Sequence, residues 1–188
     1  MALSRRGLIL GAVSALGTVA PRGAARAEPA TVAQLTTKSK LALAALYGTR
    51  PKTRELARKA RGILVFPSIV KAGLVVGGQE GEGAMLQQGR ATAFYRIAAA
   101  SLGVQAGMQT FSYALFFMND KAMKHLAQND GWSIGSGPTV AIIDKGFAKP
   151  LNTMTLRHDV YAFPFSQKGL MAGVGLEGTR ITRINPPR

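Results

Sequence analysis

The sequence contains one pattern that is typical of a nucleophilic serine. Residues 131–135 read Gly-Trp-Ser-Ile-Gly, the G-x-S-x-G pattern of a hydrolase, and Asp144 and His158 follow in hydrolase order. Such a serine needs a strand before it and a helix after it, whereas here a predicted helix precedes Ser133 and a Gly-rich turn with a strand follows. The local order therefore argues against a serine hydrolase, which is kept as the third functional alternative.

Two other patterns could bind a ligand. The glycine-rich residues 77–83 could form a phosphate loop, but Glu80 and Glu82 would repel a phosphate and no Lys-Ser/Thr pair follows the glycines. His125 and His158 are isolated and lack the neighbouring ligands that zinc requires. We therefore expect no metal, no cofactor and no catalytic site.

The glycines are better explained by a hairpin. Residues 63–66 form an apolar strand that Pro67 should end, because proline lacks a backbone N–H for a central ladder. Residues 72–76 form a second apolar strand, and residues 77–83 supply the tight reversal before the chain returns at residues 84–86. This hairpin is the predicted centre of the fold.

Helical and strand patterns alternate along the rest of the chain. A capping box at Thr31 and Gln34 predicts the start of a first helix, which Gly48 can end. Thr53 is the predicted cap of a short second helix over residues 54–61, which Gly62 ends. A third helix is predicted over residues 121–128, with Asn119 or Asp120 as its cap. Strands are predicted at residues 90–99, 103–118, 139–143, 155–163, 169–176 and 179–184. The fold class is α+β, a strand-dominated antiparallel barrel or sandwich with N-terminal helices and one mid-chain helix.

The first 27 residues have the composition of an export signal. They contain Arg5, Arg6 and two further arginines but no acid, with an apolar run over residues 8–20 that is shorter than the roughly 20 residues of a membrane span. The Ser4-Arg5-Arg6 start has the twin-arginine form. We expect a signal peptide over residues 1–27, a single cysteine-free domain over residues 28–188 and a periplasmic location; an uncleaved N-terminal anchor is the alternative.

Positive charge is concentrated early in that domain. The chain has a formal net charge of +15, and residues 38–71 hold nine basic residues against Glu55 alone. Such a field attracts phosphate-rich surfaces, although a solvated helical face would have the same composition. Tyr161, Phe163 and Phe165 alternate on one strand face and could stack bases if exposed, but no known nucleic-acid motif accompanies them. Nucleic-acid binding is thus not favoured.

Three motifs resemble the SYLF domain, a family of lipid-binding modules. They are GILVFPSIVKAGLVVGGQEGEGAML (residues 62–86), SLGVQAGMQ (residues 101–109) and FSQKGLMAGVGLEG (residues 165–178), and the resemblance covers residues 35–184. It implies a non-enzymatic domain that binds membrane lipids, notably phosphoinositides in eukaryotic members, some of which also bind actin filaments. Those members usually carry a second module; we expect none in this chain, so actin binding is not favoured.

The resemblance also implies where lipid would bind. The family's lipid contacts lie in its basic N-terminal helices, which here contain Lys38, Lys40, Lys52, Arg54, Arg58, Lys59 and Arg61. We expect a peripheral, exported protein that binds anionic phospholipids through these residues and has no transmembrane span after processing. The second alternative is a structural or interaction protein of the cell envelope whose basic face binds a glycan or a protein.

Overall fold

The computed structural model describes residues 30–73, 76–102, 107–128, 131–143, 157–169, 176 and 178–188. The proposed signal peptide, Asp144 and most of the strand expected at residues 169–176 lie outside the described residues. The elements in chain order are α1 (Val32–Thr49), α2 (Thr53–Lys59), β1 (Gly62–Gly73), β2 (Val76–Gln87), β3 (Arg90–Leu102), β4 (Gly107–Phe117), α3 (Asp120–Leu126), β5 (Trp132–Ser133), β6 (Val140–Ile142), β7 (Val160–Gly169) and β8 (Arg180–Ile184).

The eight described strands form one curled sheet in the order β5-β8-β3-β2-β1-β4-β7-β6. All neighbouring strands are antiparallel except β6 and β7, which are parallel. Because the sheet is continuous and curls into a half-barrel, the strand-dominated α+β prediction is confirmed in its barrel-like form. The two N-terminal helices and the mid-chain helix are also present as predicted.

Both faces of the sheet are covered. Leu46 of α1 and Leu56 of α2 belong to the core cluster on one face, whereas Leu126 of α3 and Trp132 belong to the cluster on the other. The central strand β4 is buried throughout residues 111–117. Its side chains alternate between the two faces, so burial on both explains why its sequence reads as a continuous apolar run.

Pro67 does not end the first strand. β1 continues through it to Gly73, with a shift in register against both neighbours at this point, which marks a bulge. The Ser112 hydroxyl donates a hydrogen bond to the Pro67 carbonyl at 2.8 Å. A bulge tolerates proline because its residue leaves the regular ladder, so the missing N–H costs no hydrogen bond there. The prediction that Pro67 ends the first strand was therefore wrong.

The glycines of residues 77–83 do not form the reversal either. They lie within β2, paired with β1 on one side and β3 on the other. At Gly83 a Cβ would meet the Val65 carbonyl and would lie 2.8 Å from a ring carbon of Phe66. The hairpin turn between β2 and β3 is instead Gln88-Gly89, with φ of 48° and 77°, a two-residue turn with positive φ.

Helix ends follow the predicted caps in two of three cases. The Thr31 hydroxyl and the Gln34 side chain form the expected capping box at α1, and the Asn119 side chain accepts a hydrogen bond from the Ala122 N–H at α3. Thr53 does not cap α2: it is the first helical residue, and its hydroxyl donates to the Arg50 carbonyl at 2.6 Å. α2 is also shorter than predicted, ending at Lys59.

The aromatic residues of β7 lie on one face, as their alternation predicted, but that face is covered. Tyr161, Phe163 and Phe165 are 0, 1 and 4 % exposed and belong to the cluster that includes α1 and α2. Base stacking needs rings that solvent can reach. The stacking surface considered for nucleic acid is therefore absent at these three residues.

Candidate binding surface on the N-terminal helices

α1 is held on the sheet by a stripe of buried residues along one side of the helix. Leu35, Ser39, Leu43 and Leu46 are buried, and the Ser39 hydroxyl donates to the Val65 carbonyl of β1 at 3.2 Å. The spacing of four, four and three residues places them along one helix face. α1 therefore presents its opposite face to solvent.

Arg50 fixes the connection between the two helices. Its guanidinium donates hydrogen bonds to the carbonyls of Ile143 at 2.7 Å and Pro164 at 3.3 Å, and it lies 6.0 Å from the centre of the Phe163 ring. These contacts tie the end of α1 to the edge formed by β6 and β7. Arg50 is thus a structural member of the basic run, and its half-buried position separates it from the other cations.

The seven predicted binding residues are all exposed. Among the described residues, one of these seven side chains forms an ion pair: Arg61 contacts Asp120 at 3.6 Å. For the other six, no carboxylate of the described residues lies within salt-bridge distance. The outer surface of α1 and α2 is therefore a cationic face, defined by Lys38, Lys40, Lys52, Arg54, Arg58, Lys59 and Arg61.

Lys38 and Lys40 do not point in the same direction. Two residues correspond to about 200° around a helix, so these lysines flank α1 on opposite sides. Lys40 lines a groove between the helices, and Lys38 does not. The structure therefore separates a pair that the sequence had grouped.

A groove of about 370 Å³ lies between α1, α2 and the turn after β2. Lys40 and Arg61 supply its charge, and its walls are mainly apolar. The remaining lining residues are Leu43, Ala44, Tyr47, Ala57, Ala60, Gly62, Ile63, Leu86, Gln88 and Gly89. Cationic groups beside an apolar cleft suit an amphiphile that has an anionic end.

Tyr47 is a groove residue that sequence reasoning missed. Its ring lies 5.3 Å from the Arg54 guanidinium, and burial raises the pKa of its hydroxyl, an effect that the nearby Arg54 charge opposes. The phenol therefore stays neutral and can donate a hydrogen bond. Its position seven residues after Lys40 was the available signal, because that spacing is two helical turns and places both on one side.

The structure gives no support to the hydrolase alternative. Ser133 lies in the two-residue strand β5, after α3 and before a turn, which is the reverse of the order that a nucleophilic serine requires. The Ser133 carbonyl accepts hydrogen bonds from the N–H and hydroxyl of Ser136, at 3.1 and 2.9 Å. Trp132 is fully buried and serves as a core residue.

The acidic residues of the glycine-rich strand also have partners. Arg96 on the neighbouring β3 contacts Glu82 at 2.8 Å and Glu80 at 3.3 Å. Hydrogen bonding and charge attraction from Glu82 raise the pKa of Arg96. Among the described residues, no cluster of His, Asp or Glu could hold a metal ion. This part of the sheet is a cross-strand ion-pair surface.

None of the described helices has the length and apolar composition needed to cross a bilayer. α1 has 18 residues but includes Lys38 and Lys40 and exposes polar groups along its outer face. One apolar side chain, Leu41, is 66 % exposed on this helix. A single exposed leucine is common on protein surfaces.

Comparison with known proteins provides an independent assignment. A family model, Ysc84, described as "Las17-binding protein actin regulator", matches residues 98–185, from the second half of β3 to just beyond β8. No curated protein matches the chain. The matched family comprises lipid-binding and actin-regulating domains, a class of binding modules. Residues 98–185 of the chain are therefore similar to the SYLF domain family, and the strand-dominated fold is consistent with that similarity.

Proposed function

We propose that this chain is a SYLF-type domain that binds anionic phospholipids at a membrane surface and acts as a binding module without catalysis. The observation that carries the proposal is the cationic face of α1 and α2 with the groove beside it. Six of its seven basic side chains have no ion-pair partner among the described residues, so their charge is available to lipid phosphates. The similarity of residues 98–185 to a family of lipid-binding and actin-regulating domains supports lipid as the ligand.

The groove adds a site for a single lipid. Lys40 and Arg61 could contact a headgroup phosphate, while Tyr47 and the apolar walls could contact the glycerol backbone or the start of an acyl chain. An aromatic ring with a polar end suits the boundary between headgroups and hydrocarbon. The lipid would then be held by charge at the groove opening and by apolar contact within it.

The test is vesicle co-sedimentation with a triple variant, Arg54→Gln, Arg58→Gln and Lys59→Gln. Arg61 is left in place because its removal would also break the pair with Asp120. Each basic residue near an anionic bilayer contributes about 1 kcal/mol, so binding should weaken by about 3 kcal/mol, which is roughly 100-fold. Neutral vesicles should show no difference.

A second triple variant is the matched control. Arg157, Lys168 and Arg183 are exposed basic residues outside α1 and α2, and changing them to Gln removes the same charge. If only the first triple variant binds anionic vesicles more weakly, the proposed surface is supported. If both triple variants bind equally weakly, the vesicles are attracted by net charge only. Absence of vesicle binding in the unmodified domain would favour the envelope alternative, a glycan or protein partner.

We also propose that residues 1–27 direct export through the twin-arginine route and that the domain over residues 28–188 associates peripherally with a membrane in the periplasm. The support is the Arg5-Arg6 pair followed by a short apolar run. Changing both arginines to lysine keeps the charge but removes the paired guanidinium groups. Cell fractionation should then find the protein retained in the cytoplasm, and continued export would contradict the twin-arginine route.

A further inference from the structure

A second cationic cleft lies on the opposite side of the sheet from α1 and α2. Its volume is about 460 Å³, within the range of small-ligand sites. α3 forms one wall and the turn after β5 forms the other, and α3 packs on the core cluster that excludes α1 and α2. The lining residues are Lys121, Lys124, His125, Gln128, Gly137 and Pro138.

The α3 wall presents hydrogen-bond donors from one helix face. Lys121, Lys124 and His125 follow the spacing i, i+3 and i+4, which places them side by side on α3, and Gln128 joins them from the turn that follows the helix. Each can donate a hydrogen bond at neutral pH, since a neutral imidazole keeps one N–H and a glutamine amide has two. The wall therefore combines two full positive charges with neutral donors.

The opposite wall is built closely against His125. Gly137 has φ of 84°, and a Cβ there would lie 2.6 and 2.7 Å from Cε1 and Nε2 of the imidazole. The turn is held in place because the Trp132 indole N–H donates to the Ser136 carbonyl at 2.9 Å. Trp132 also packs edge-to-face against His125, with ring centres 6.4 Å apart. The imidazole is thus fixed between the turn and the core.

No acidic residue lines this cleft within the described part of the chain. Two described acidic residues lie beside α3: Asp120 pairs with Arg61 at 3.6 Å, and the Asp159 carboxylate accepts hydrogen bonds from Asn119 and Thr139 and also attracts the charge of Lys121. Within the described residues, Lys121 and Lys124 have no carboxylate at salt-bridge distance. The charge of Lys124, and that of Lys121 apart from its longer-range attraction to Asp159, is therefore available to an anion in the cleft.

We propose that this cleft binds a phosphate monoester, as a second ligand site independent of the membrane face. A phosphate group carries between one and two negative charges near pH 7 and three acceptor oxygens. Two lysines balance that charge, and His125 or Gln128 can donate to a remaining oxygen. A carboxylate would leave one of the two lysine charges unbalanced. The phosphate could belong to a soluble metabolite or to a lipid headgroup.

The sole tryptophan of the sequence provides the measurement. Because Trp132 contacts His125, inorganic phosphate should change its fluorescence in a saturable way, whereas sodium chloride at equal ionic strength should not. In the variant Lys121→Gln with Lys124→Gln, phosphate should bind at least about tenfold more weakly, since it loses charge-assisted contacts. The control Lys168→Gln with Arg183→Gln, exposed residues outside the cleft, should bind as the unmodified protein does.

Vesicles containing phosphatidic acid identify the source of the phosphate. If the α3 double variant loses affinity for both inorganic phosphate and these vesicles, the ligand is a lipid headgroup; if only phosphate binding is lost, it is a soluble ester. The triple variant of α2 should retain phosphate binding, which separates this site from the proposed membrane face. The inference is overturned if calorimetry and fluorescence both show no phosphate binding, or if the α3 double variant binds phosphate with unchanged affinity.

Discussion

Gly83→Ala tests the close contact between β1 and β2 beneath the Pro67 bulge. The added Cβ would meet the Val65 carbonyl and would lie 2.8 Å from both the Val65 carbonyl carbon and a Phe66 ring carbon. The main obstacle is backbone, so relief requires moving β1 and weakening its ladder with β2. Overpacking costs about 3 kcal/mol in such a site, whereas alanine gains about 1 kcal/mol by restricting the unfolded chain. We expect a net loss of about 2 kcal/mol.

Gly48→Ala is the matched control. Gly48 lies near the end of α1, and a Cβ there would meet no atom within 4 Å. Alanine should raise the free energy of unfolding by up to about 1 kcal/mol, because glycine is the poorer helix former. The two variants make the same chemical change and should shift stability in opposite directions.

Urea unfolding followed by Trp132 fluorescence measures both variants, with the midpoint falling for Gly83→Ala and rising for Gly48→Ala. Circular dichroism before unfolding checks that each variant folds. A Gly83→Ala variant with unchanged or raised stability would refute the close approach. It would instead support an open turn at residues 77–83, where an added methyl group has space.

Three further substitutions test other parts of the structure. Arg50→Gln should lower the free energy of unfolding by about 2 kcal/mol, because the hydrogen bonds to two carbonyls are lost. Arg54→Gln changes an exposed residue and should have almost no effect on stability. Equal effects of the two substitutions in urea unfolding would contradict the structural role of Arg50. Hydrogen bonds from the backbone of Thr139 and the side chain of Asn119 lower the pKa of Asp159 in the folded protein. The ionised carboxylate therefore stabilises the fold fully above the unfolded pKa of about 3.9. This contribution is lost as the pH falls through the lower folded pKa. Asp159→Asn should therefore be less stable at neutral pH and lose less stability on acidification, and parallel stability–pH curves would refute the assignment. Ser133→Ala should leave stability and lipid binding unchanged; loss of an esterase activity present in the unmodified protein would restore the hydrolase alternative.

Local sequence signals predicted much of the fold. The capping box at Thr31 and the cap at Asn119 depend only on residues within one helical turn, and both formed as expected. The alternation of Tyr161, Phe163 and Phe165 correctly placed them on one strand face. The strand-dominated fold could likewise be read from short apolar runs separated by turn residues.

The sequence predicted the candidate site only in part. The sequence identified a dense basic segment, and its predicted residues lie exposed on α1 and α2. The seven predicted residues do not include Arg50, but the sequence did not show that its guanidinium holds α1 to the edge formed by β6 and β7. Nor could it show that Lys40, Tyr47 and Arg61 line one groove, because Arg61 meets the other two only after α2 folds back beside α1.

Composition and short-range pattern therefore determined the secondary structure of the helices, the strand-rich class and the location of the charge, since each depends on residues that are neighbours in the chain. The tertiary structure alone decided which neighbours a residue has across the sheet. Gly83 carries the same local signal as a turn glycine, but its place opposite the Pro67 bulge makes it a strand residue with no room for a side chain. The cleft at Lys124 likewise exists because a turn more than ten residues later packs against α3, a contact that no local pattern encodes.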